Sequence, residues 1–413
     1  MTADDDRTRQ PPKVALATLF GVIVIDLIGF GIVVPILPYY AKSLDTSPLT
    51  LGFLLAVYPA LQFVFGPIWG RLSDRIGRRP VILLTIAGTA AALTMLGTAD
   101  SLAWLFAARV FGGIFGANIS VATAYITDVT DTSERTRWMG MVGASFAVGF
   151  VLGPALGGLL APNLDGSWPA AAVFGPTISA FIQPMGYGIP VLLAAALASI
   201  NWAFAALALT EPPRHAEPEA GAGRLEVLRD PLVRRLCATN LAYSMAVTQL
   251  ESIFVYFMVD RFGYEALQVA FILIGMGVLM GGIQGGAIRP LVERFGERKL
   301  VLAGLAMMAV SFVAIPFMGS VSLMLIPLGL SAIGRGIAQP PLLGLVSMAT
   351  TDTNRGSVMG TFQSAASLAR VFGPAVAGAG YAVFEAGPFL FAGAFGAVAF
   401  VLALRLSNRP AAS

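Results

Sequence analysis

The chain alternates long apolar blocks with short polar breaks, and many blocks reach the roughly 20 residues that cross a bilayer as a helix. Twelve spans are predicted, at about 14–40, 48–70, 81–98, 101–125, 138–161, 188–209, 236–259, 266–289, 300–318, 321–348, 357–383 and 387–406. An even number of crossings puts both termini on one side, with odd and even loops facing opposite sides. The 26 Lys and Arg test this: 21 fall in the N-terminal stretch, the even-numbered loops and the C-terminal stretch, counting Arg289 and Arg405 at the span ends that border them, against two, Lys42 and Arg261, in odd-numbered loops. Positive loops stay cytoplasmic, so both ends are expected inside. A missed helix would scramble the separation.

The longest polar break, 210–235, divides the spans six and six and carries Pro, Gly and mixed charge, as a flexible linker does. The expected organisation is a cytoplasmic tail at 1–13, a bundle of six helices at 14–209, a cytoplasmic linker at 210–235, a second bundle at 236–406 and a tail at 407–413. The opening "MTADDDRTRQPPK" has no short apolar core and cleavage site after it, and reads as a tail rather than a signal peptide.

Composition supports an all-α integral membrane protein. Of 413 residues 56% are hydrophobic and 12% charged, and the 46 Gly and 26 Pro exceed what soluble helices tolerate. One cysteine, Cys237, excludes an internal disulfide, and one histidine, His215, excludes a multi-histidine metal site. The net charge of +3 is spread between apolar blocks, not along one face, so nucleic acid is not an expected partner. There is no phosphate-binding GxxxxGK[ST] loop, zinc constellation or nucleophile–base pattern, which argues against an ATP-driven pump or other enzyme and against any cofactor or metal.

The halves echo one another. "GRLSDRIGRRP" (Gly70 to Pro80) ends span 2, and "RPLVERFGERK" (Arg289 to Lys299) ends span 8. Aligned on Gly77 and Gly296, Asp74 meets Glu293 and Arg75 meets Arg294. Arg109 in span 4 answers Arg335 in span 10, Asp26 answers Glu251, and "GPALGG" in span 5 answers "GPAVAG" in span 11. Internal repeats of this length mark secondary transporters.

These motifs resemble those of the major facilitator superfamily over essentially the whole chain. Gly70, Leu72, Asp74, Arg75, Gly77, Arg78 and Arg79 resemble its loop between helices 2 and 3, and "RVFGGIFGA" from Arg109 its helix-4 arginine motif. "GFVLGPALGG" (Gly149 to Gly158) and "DLIGFGIVVPILP" (Asp26 to Pro38) resemble motifs of the twelve-helix drug/proton antiporters, the tetracycline/proton antiporter-like group above all. The resemblance implies two pseudo-symmetric six-helix bundles, a monomer by default, and small-molecule substrates and protons as partners within a lipid bilayer. It also implies that the motif acid Asp74 contacts the start of helix 11, while a motif arginine meets an acid after helix 4, a role for which Asp128 is placed. Together they would latch the cytoplasmic side. A purely topological reading, in which the arginines only anchor the loop inside, explains the charge but not Asp74, Gly70 or Gly77.

Five ionisable residues lie within spans away from their ends, each at a cost of about 2.5–3.5 kcal/mol on insertion scales. Asp26 sits ~18 Å into span 1 and Glu251 ~22 Å into span 7. A carboxyl that alternates between a dry site and an arginine can load and release a proton; a fixed ion pair is the other reading of both. The resemblance implies that Arg109 tunes such an acid. Arg335 and Arg370 are open between neutralising Glu251, meeting an anionic substrate group and a structural role. Tyr58, Gln62, Asn118, Gln249, Gln339 and Gln363 are candidate cavity groups beside Arg335 and Arg370. Gly149, Gly153, Pro154, Gly157 and Gly158 form a small-residue face that the resemblance packs against helix 8, whose "GMGVLMGGIQGG" is equally glycine-rich. The external segment 162–187, with Trp168, Phe174, Phe181 and Tyr187, is read as an interfacial element or a lid.

The leading expectation is a proton-coupled antiporter in a bacterial inner membrane that exports small amphiphilic compounds. The alternatives are a carrier of a defined metabolite (a sugar, siderophore or amino-acid derivative) and, more remotely, a membrane sensor or assembly protein without transport.

Overall fold

The computed structural model describes residues 12–116, 118–130, 145, 148–169, 175, 177, 185–212, 224–350 and 355–406. Every regular element among them is helical, and each predicted span contains described helix. The helices are α1 Pro12–Lys42, α2 Pro48–Ile76, α3 Arg78–Gly97, α4 in two pieces (Leu102–Phe115 and Asn118–Val129), α5 Val148–Leu160 and α6 Gly188–Ala208. They continue as α7 Pro231–Phe262, α8 Ala266–Phe295, α9 Glu297–Ala314, α10 Val321–Met348, α11 Arg355–Val383 and α12 Gly387–Leu404. Nine of the described helices are long and apolar enough to cross a membrane. Their large side chains also face outward, as lipid requires: Leu207, Val383, Ile326 and Phe271 are among the most exposed.

The helices form two compact units. One comprises residues 1–45, 60–216 and 265–274, the other 46–59, 217–264 and 275–413. In the first, α6 packs on α1 and α3, and α3 on α4; in the second, α12 packs on α7 and α9, and α9 on α10. The pairings repeat because the sequence does. At one end of the first unit Leu16, Leu19, Ile23, Ile82, Ile86, Val121, Tyr125 and Leu209 close a core over α1, α3, α4 and α6.

Three expectations change. The charged stretch "GRLSDRIGRRP" is not a long turn: α2 stays helical through Ile76, and the chain reverses at Gly77 alone, at φ 111° and ψ 156°. Gly296, its partner in the repeat, has φ 76° and ψ 155°, in the same region that only glycine enters readily. Gly70 answers no such demand, since the space beside it is open.

Span 4 is broken. The two pieces of α4 meet at Gly116, and the carbonyls released there find donors on α2: Gln62 Nε2 donates to Gly116 O, and Trp69 Nε1 to Ile114 O at 2.5 Å. A broken membrane helix is tolerable when side chains satisfy the freed backbone in this way.

The helix-5 glycines pack mainly on α1, not on helix 8. A Cβ on Gly149 would strike Leu27, one on Gly153 would strike Gly31, and one on Gly157 would stand 3.2 Å from Ile32 O. These three follow at i, i+4 and i+8, one helix face. Gly158, about 100° further round, meets Leu267 and Ala270 at the start of α8. Of the glycines in "GMGVLMGGIQGG", Gly275, Gly281, Gly282, Gly285 and Gly286 face open space, and α8 carries a π-helical turn there, at Ile283–Ala287.

Gly153→Ala is expected to destabilise the protein by about 1–3 kcal/mol, because the clash is with backbone that cannot yield. Gly281→Ala, with open space beside it, is expected to be neutral or slightly stabilising. Thermal unfolding of the detergent-solubilised variants compares the two.

Candidate functional site

Two groups of charged side chains stand out, one in each unit. The first surrounds the Gly77 turn. Arg78 is its hub: Nε donates to Asp128 Oδ2 at 2.7 Å, and Nη1 reaches Asp74 Oδ1 at 2.5 Å and the Ser73 hydroxyl at 2.6 Å. The expected pairing of a motif arginine with Asp128 is therefore present, and Arg78 is that arginine. Asp74 is held by Arg78 one turn along the chain. The side chains that begin α11, its expected partner, at Arg355 and Gly356, lie outside the described residues. Arg75 is exposed and engaged as well.

Sequence reasoning missed Glu211. Its carboxylate oxygens accept the backbone N–H groups of Arg78 and Arg79, at 2.6 and 2.9 Å. These are among the first N–H groups of α3, which lack partners within the helix, and a carboxylate there also gains from the helix dipole. A Cβ on Gly77 would sit 2.6 Å from Glu211 Oε1, so the glycine also makes room for this cap. Arg79 Nη2 donates to Ala206 O at 2.7 Å, and the Tyr125 hydroxyl to Thr210 O at 2.8 Å. The turn is thereby tied to the end of α6. The second half repeats one of these ties: Arg298 Nη2 donates to Leu404 O, at the end of α12, at 2.7 Å. Its other charges stay in solvent, where Arg289 pairs with Glu293 at 3.1 Å.

The second group is in the other unit. Arg335 Nη2 on α10 meets Glu251 Oε1 on α7 at 2.5 Å. The Arg335 side chain is 15% exposed and the Glu251 side chain 44%, so the pair has a buried end and an open end. The buried Tyr243, two turns before Glu251 on α7, lies beside Arg335. Arg370 on α11 attracts Glu251 at longer range and donates from Nη2 to the Ser367 hydroxyl at 3.2 Å. Of the two arginines open for Glu251, Arg335 makes the direct pair. Asp26 and Arg109 are half-buried and both engaged, in the first unit.

The neutral candidates divide. Gln339 and Gln363 are exposed and Tyr58 is half-exposed. Gln249 is fully buried and donates to Gly373 O at 3.0 Å, which removes it from the groups that reach solvent. Gln62 spends its amide on Gly116 O, and the side chain of Asn118 lies outside the described residues. In the external segment, Trp168 is buried against Leu160, and Tyr187 stacks on Tyr39 with ring centroids 5.8 Å apart. Burial pushes the Tyr187 phenol up to about 12. Hydrogen bonds from Ser167 hold the Asp165 carboxyl below its usual range. The Leu164 N–H donates to Glu265 Oε2 at 2.6 Å, while Phe174 and Phe181 lie outside the described residues.

A membrane-spanning, internally repeated helical chain with charges at mid-helix is the build of a secondary transporter, and the Major Facilitator Superfamily family model matches residues 19–290 and 286–413. The chain belongs to the major facilitator superfamily. The chain is 31% identical to the class C tetracycline resistance protein of Escherichia coli over 381 residues, 89% of this chain and 90% of that one. The solved human organic anion transporter MFSD10 (TETRAN) superposes with a TM-score of 0.68 at 24% identity, covering 96% of this chain and all of that one. A bacterial homolog of the human lysosomal transporter Spinster, solved inward-facing and occupied, gives a TM-score of 0.80 at 17% identity, with 96% and 97% covered. The two structures share the fold. The protein is thus a multi-pass membrane transporter of small molecules, not an enzyme.

Glu211→Ala uncaps α3 and is expected to cost about 1 kcal/mol. Gly77→Ala forces a Cβ into the cap and a strained backbone, and is expected to cost about 1–3 kcal/mol. Both appear as lowered unfolding temperatures of the solubilised protein, with Glu211→Gln falling between Glu211→Ala and wild type.

Proposed function

We propose that the protein is a proton-coupled antiporter that exports small amphiphilic compounds across a bacterial inner membrane by alternating access, with both termini cytoplasmic. The observation that carries this reading is the Glu251–Arg335 pair: a carboxylate at membrane depth, held by an arginine on one side and open to solvent on the other. An arginine partner favours the charged carboxylate, and its withdrawal in a drier site favours the protonated form. A rearrangement that parts the pair therefore takes up a proton, and one that restores it releases the proton. Asp26 with Arg109 is the counterpart in the first half, and the tetracycline resistance relatives support efflux as the direction. The Arg78–Asp74–Asp128 cluster serves as the cytoplasmic gate. Partly exposed ion pairs of about 0–1 kcal/mol each hold such a gate without locking it.

Inverted membrane vesicles with an internal pH dye and an imposed proton gradient test the reading. Amphiphilic compounds, tetracyclines included, are expected to discharge the gradient in wild type. Glu251→Gln or Asp26→Asn is expected to abolish this discharge, and Arg335→Lys, which keeps the charge but loses the planar fork, to weaken it. If no compound moves protons while the folded protein binds a sugar, siderophore or amino-acid derivative, export of amphiphiles gives way to a metabolite carrier.

A further inference from the structure

The second unit holds two guanidinium groups for one carboxylate at membrane depth, and the second guanidinium is the unexplained one. Arg335 is consumed by Glu251. Arg370 feels Glu251 only through space, and among the described residues its side chain makes one hydrogen bond, to the Ser367 hydroxyl. A guanidinium carries five N–H donors, so most of its capacity is unspent. Its side chain is nonetheless exposed. By the helical rise it lies ~22 Å from the start of α11 and ~20 Å from its end, too deep for the headgroup phosphates at either surface. Its counter-ion must therefore arrive through a solvent-filled space. Gln363, seven residues earlier and on the same face of α11, is exposed as well.

The repeat shows that packing does not demand this charge. With Gly153 of "GPALGG" set against Gly373 of "GPAVAG", the position of Arg370 in the first half is Phe150. Phe150 makes an edge-on contact with Phe30, at 6.4 Å between centroids. The same place in the same motif is thus filled by an apolar ring in one half and by a costly cation in the other.

We propose that Arg370 anchors a substrate subsite for a deprotonated acidic group, a carboxylate or an anion of similar size and charge, on an amphiphilic molecule. Gln363 adds a hydrogen bond from the same helix face, and Glu251 holds Arg335 aside. The proposal rests on the reading of the chain as an exporter of amphiphiles and names the class of compound it accepts.

Matched probes test it: 2-naphthaleneacetate and its primary amide, equal in shape and different in charge, bound to the purified full-length protein in detergent. The carboxylate is expected to bind about 10- to 100-fold more tightly than the amide in wild type, as a hydrogen bond to a charged group allows. Arg370→Gln is expected to bring that ratio close to one, while its thermal unfolding in detergent stays close to wild type and shows that the variant is folded. Arg370→Lys is expected to keep part of the preference. A ratio near one in wild type, including no measurable binding of either probe, overturns the subsite, as does a preference that survives Arg370→Gln. The vesicle assay separates the two readings. Proton movement driven by amphiphiles with a ratio near one removes the subsite alone, whereas the expected ratio with no proton movement by any compound removes proton coupling alone.

Discussion

Helices in lipid gain little from hiding apolar surface, because the lipid is as apolar as they are; close backbone approach has to hold them together. Here that approach is made at glycine, and it is made twice. The first glycine of each GP motif lies on the first helix of its own half: Gly153 against Gly31 on α1, and Gly373 against Thr248 on α7. The last lies on the second helix of the opposite half: Gly158 against the start of α8, and Gly378 against Gly52 on α2. This is why residues 265–274 cluster with the first unit and 46–59 with the second. A side chain at Gly153, Gly158 or Gly378 would push backbone from backbone, and one at Gly373 would strike the Thr248 side chain, so the glycines set the spacing on which everything else is hung.

Within that spacing each cation needs an answer, and the protein uses three. Arg79 and Arg298 end on backbone carbonyls at the ends of α6 and α12, as fixed structural ties do. Arg78 and Arg335 end on carboxylates, so their bonds depend on a group that can move or take a proton. Arg370 has neither answer and faces solvent. The order runs from backbone partners, through carboxylates that can part from their arginines, to an exposed guanidinium held by one hydroxyl.

Much of this was legible in the sequence. Loop charge fixed the number of spans, and aligning Gly77 with Gly296 paired two turns whose backbones agree within 1° in ψ. One step further along the same alignment, Arg79 meets Arg298, a match that only gains meaning once both are seen to reach the ends of α6 and α12. Glu211 was hidden for another reason. It opens a polar break that reads as linker, and a carboxylate that caps a helix more than a hundred residues away leaves no local pattern. The helix-5 glycines show the limit of resemblance. Their period of four predicts one contact face but not which helix lies against it, and the one glycine that does meet helix 8 is the one out of period. The break in α4 was equally silent, because "RVFGGIFGA" suits tight packing as well as interruption; the donors that permit it, Gln62 and Trp69, come from α2.

The repeat also separates scaffold from chemistry. Where the halves agree, the shared features are mechanical (the glycine turns, the GP contacts, the arginine ties), apart from the charges at depth, Asp26 with Glu251 and Arg109 with Arg335. Where they differ, the difference is charge. Arg78, hub of the cluster at the first turn, has Glu297 in its place at the second, and there the remaining ion pair, Arg289 with Glu293, is left in solvent. Phe150, a ring in the first half, has Arg370 in its place in the second. A duplicated frame needs the same residues twice, so a charge present in only one copy is not there for the frame. By that argument the Arg78 cluster of the first half and Arg370 of the second are the charges the frame does not require, and asymmetry is an informative guide to function in a chain whose symmetry already accounts for its fold.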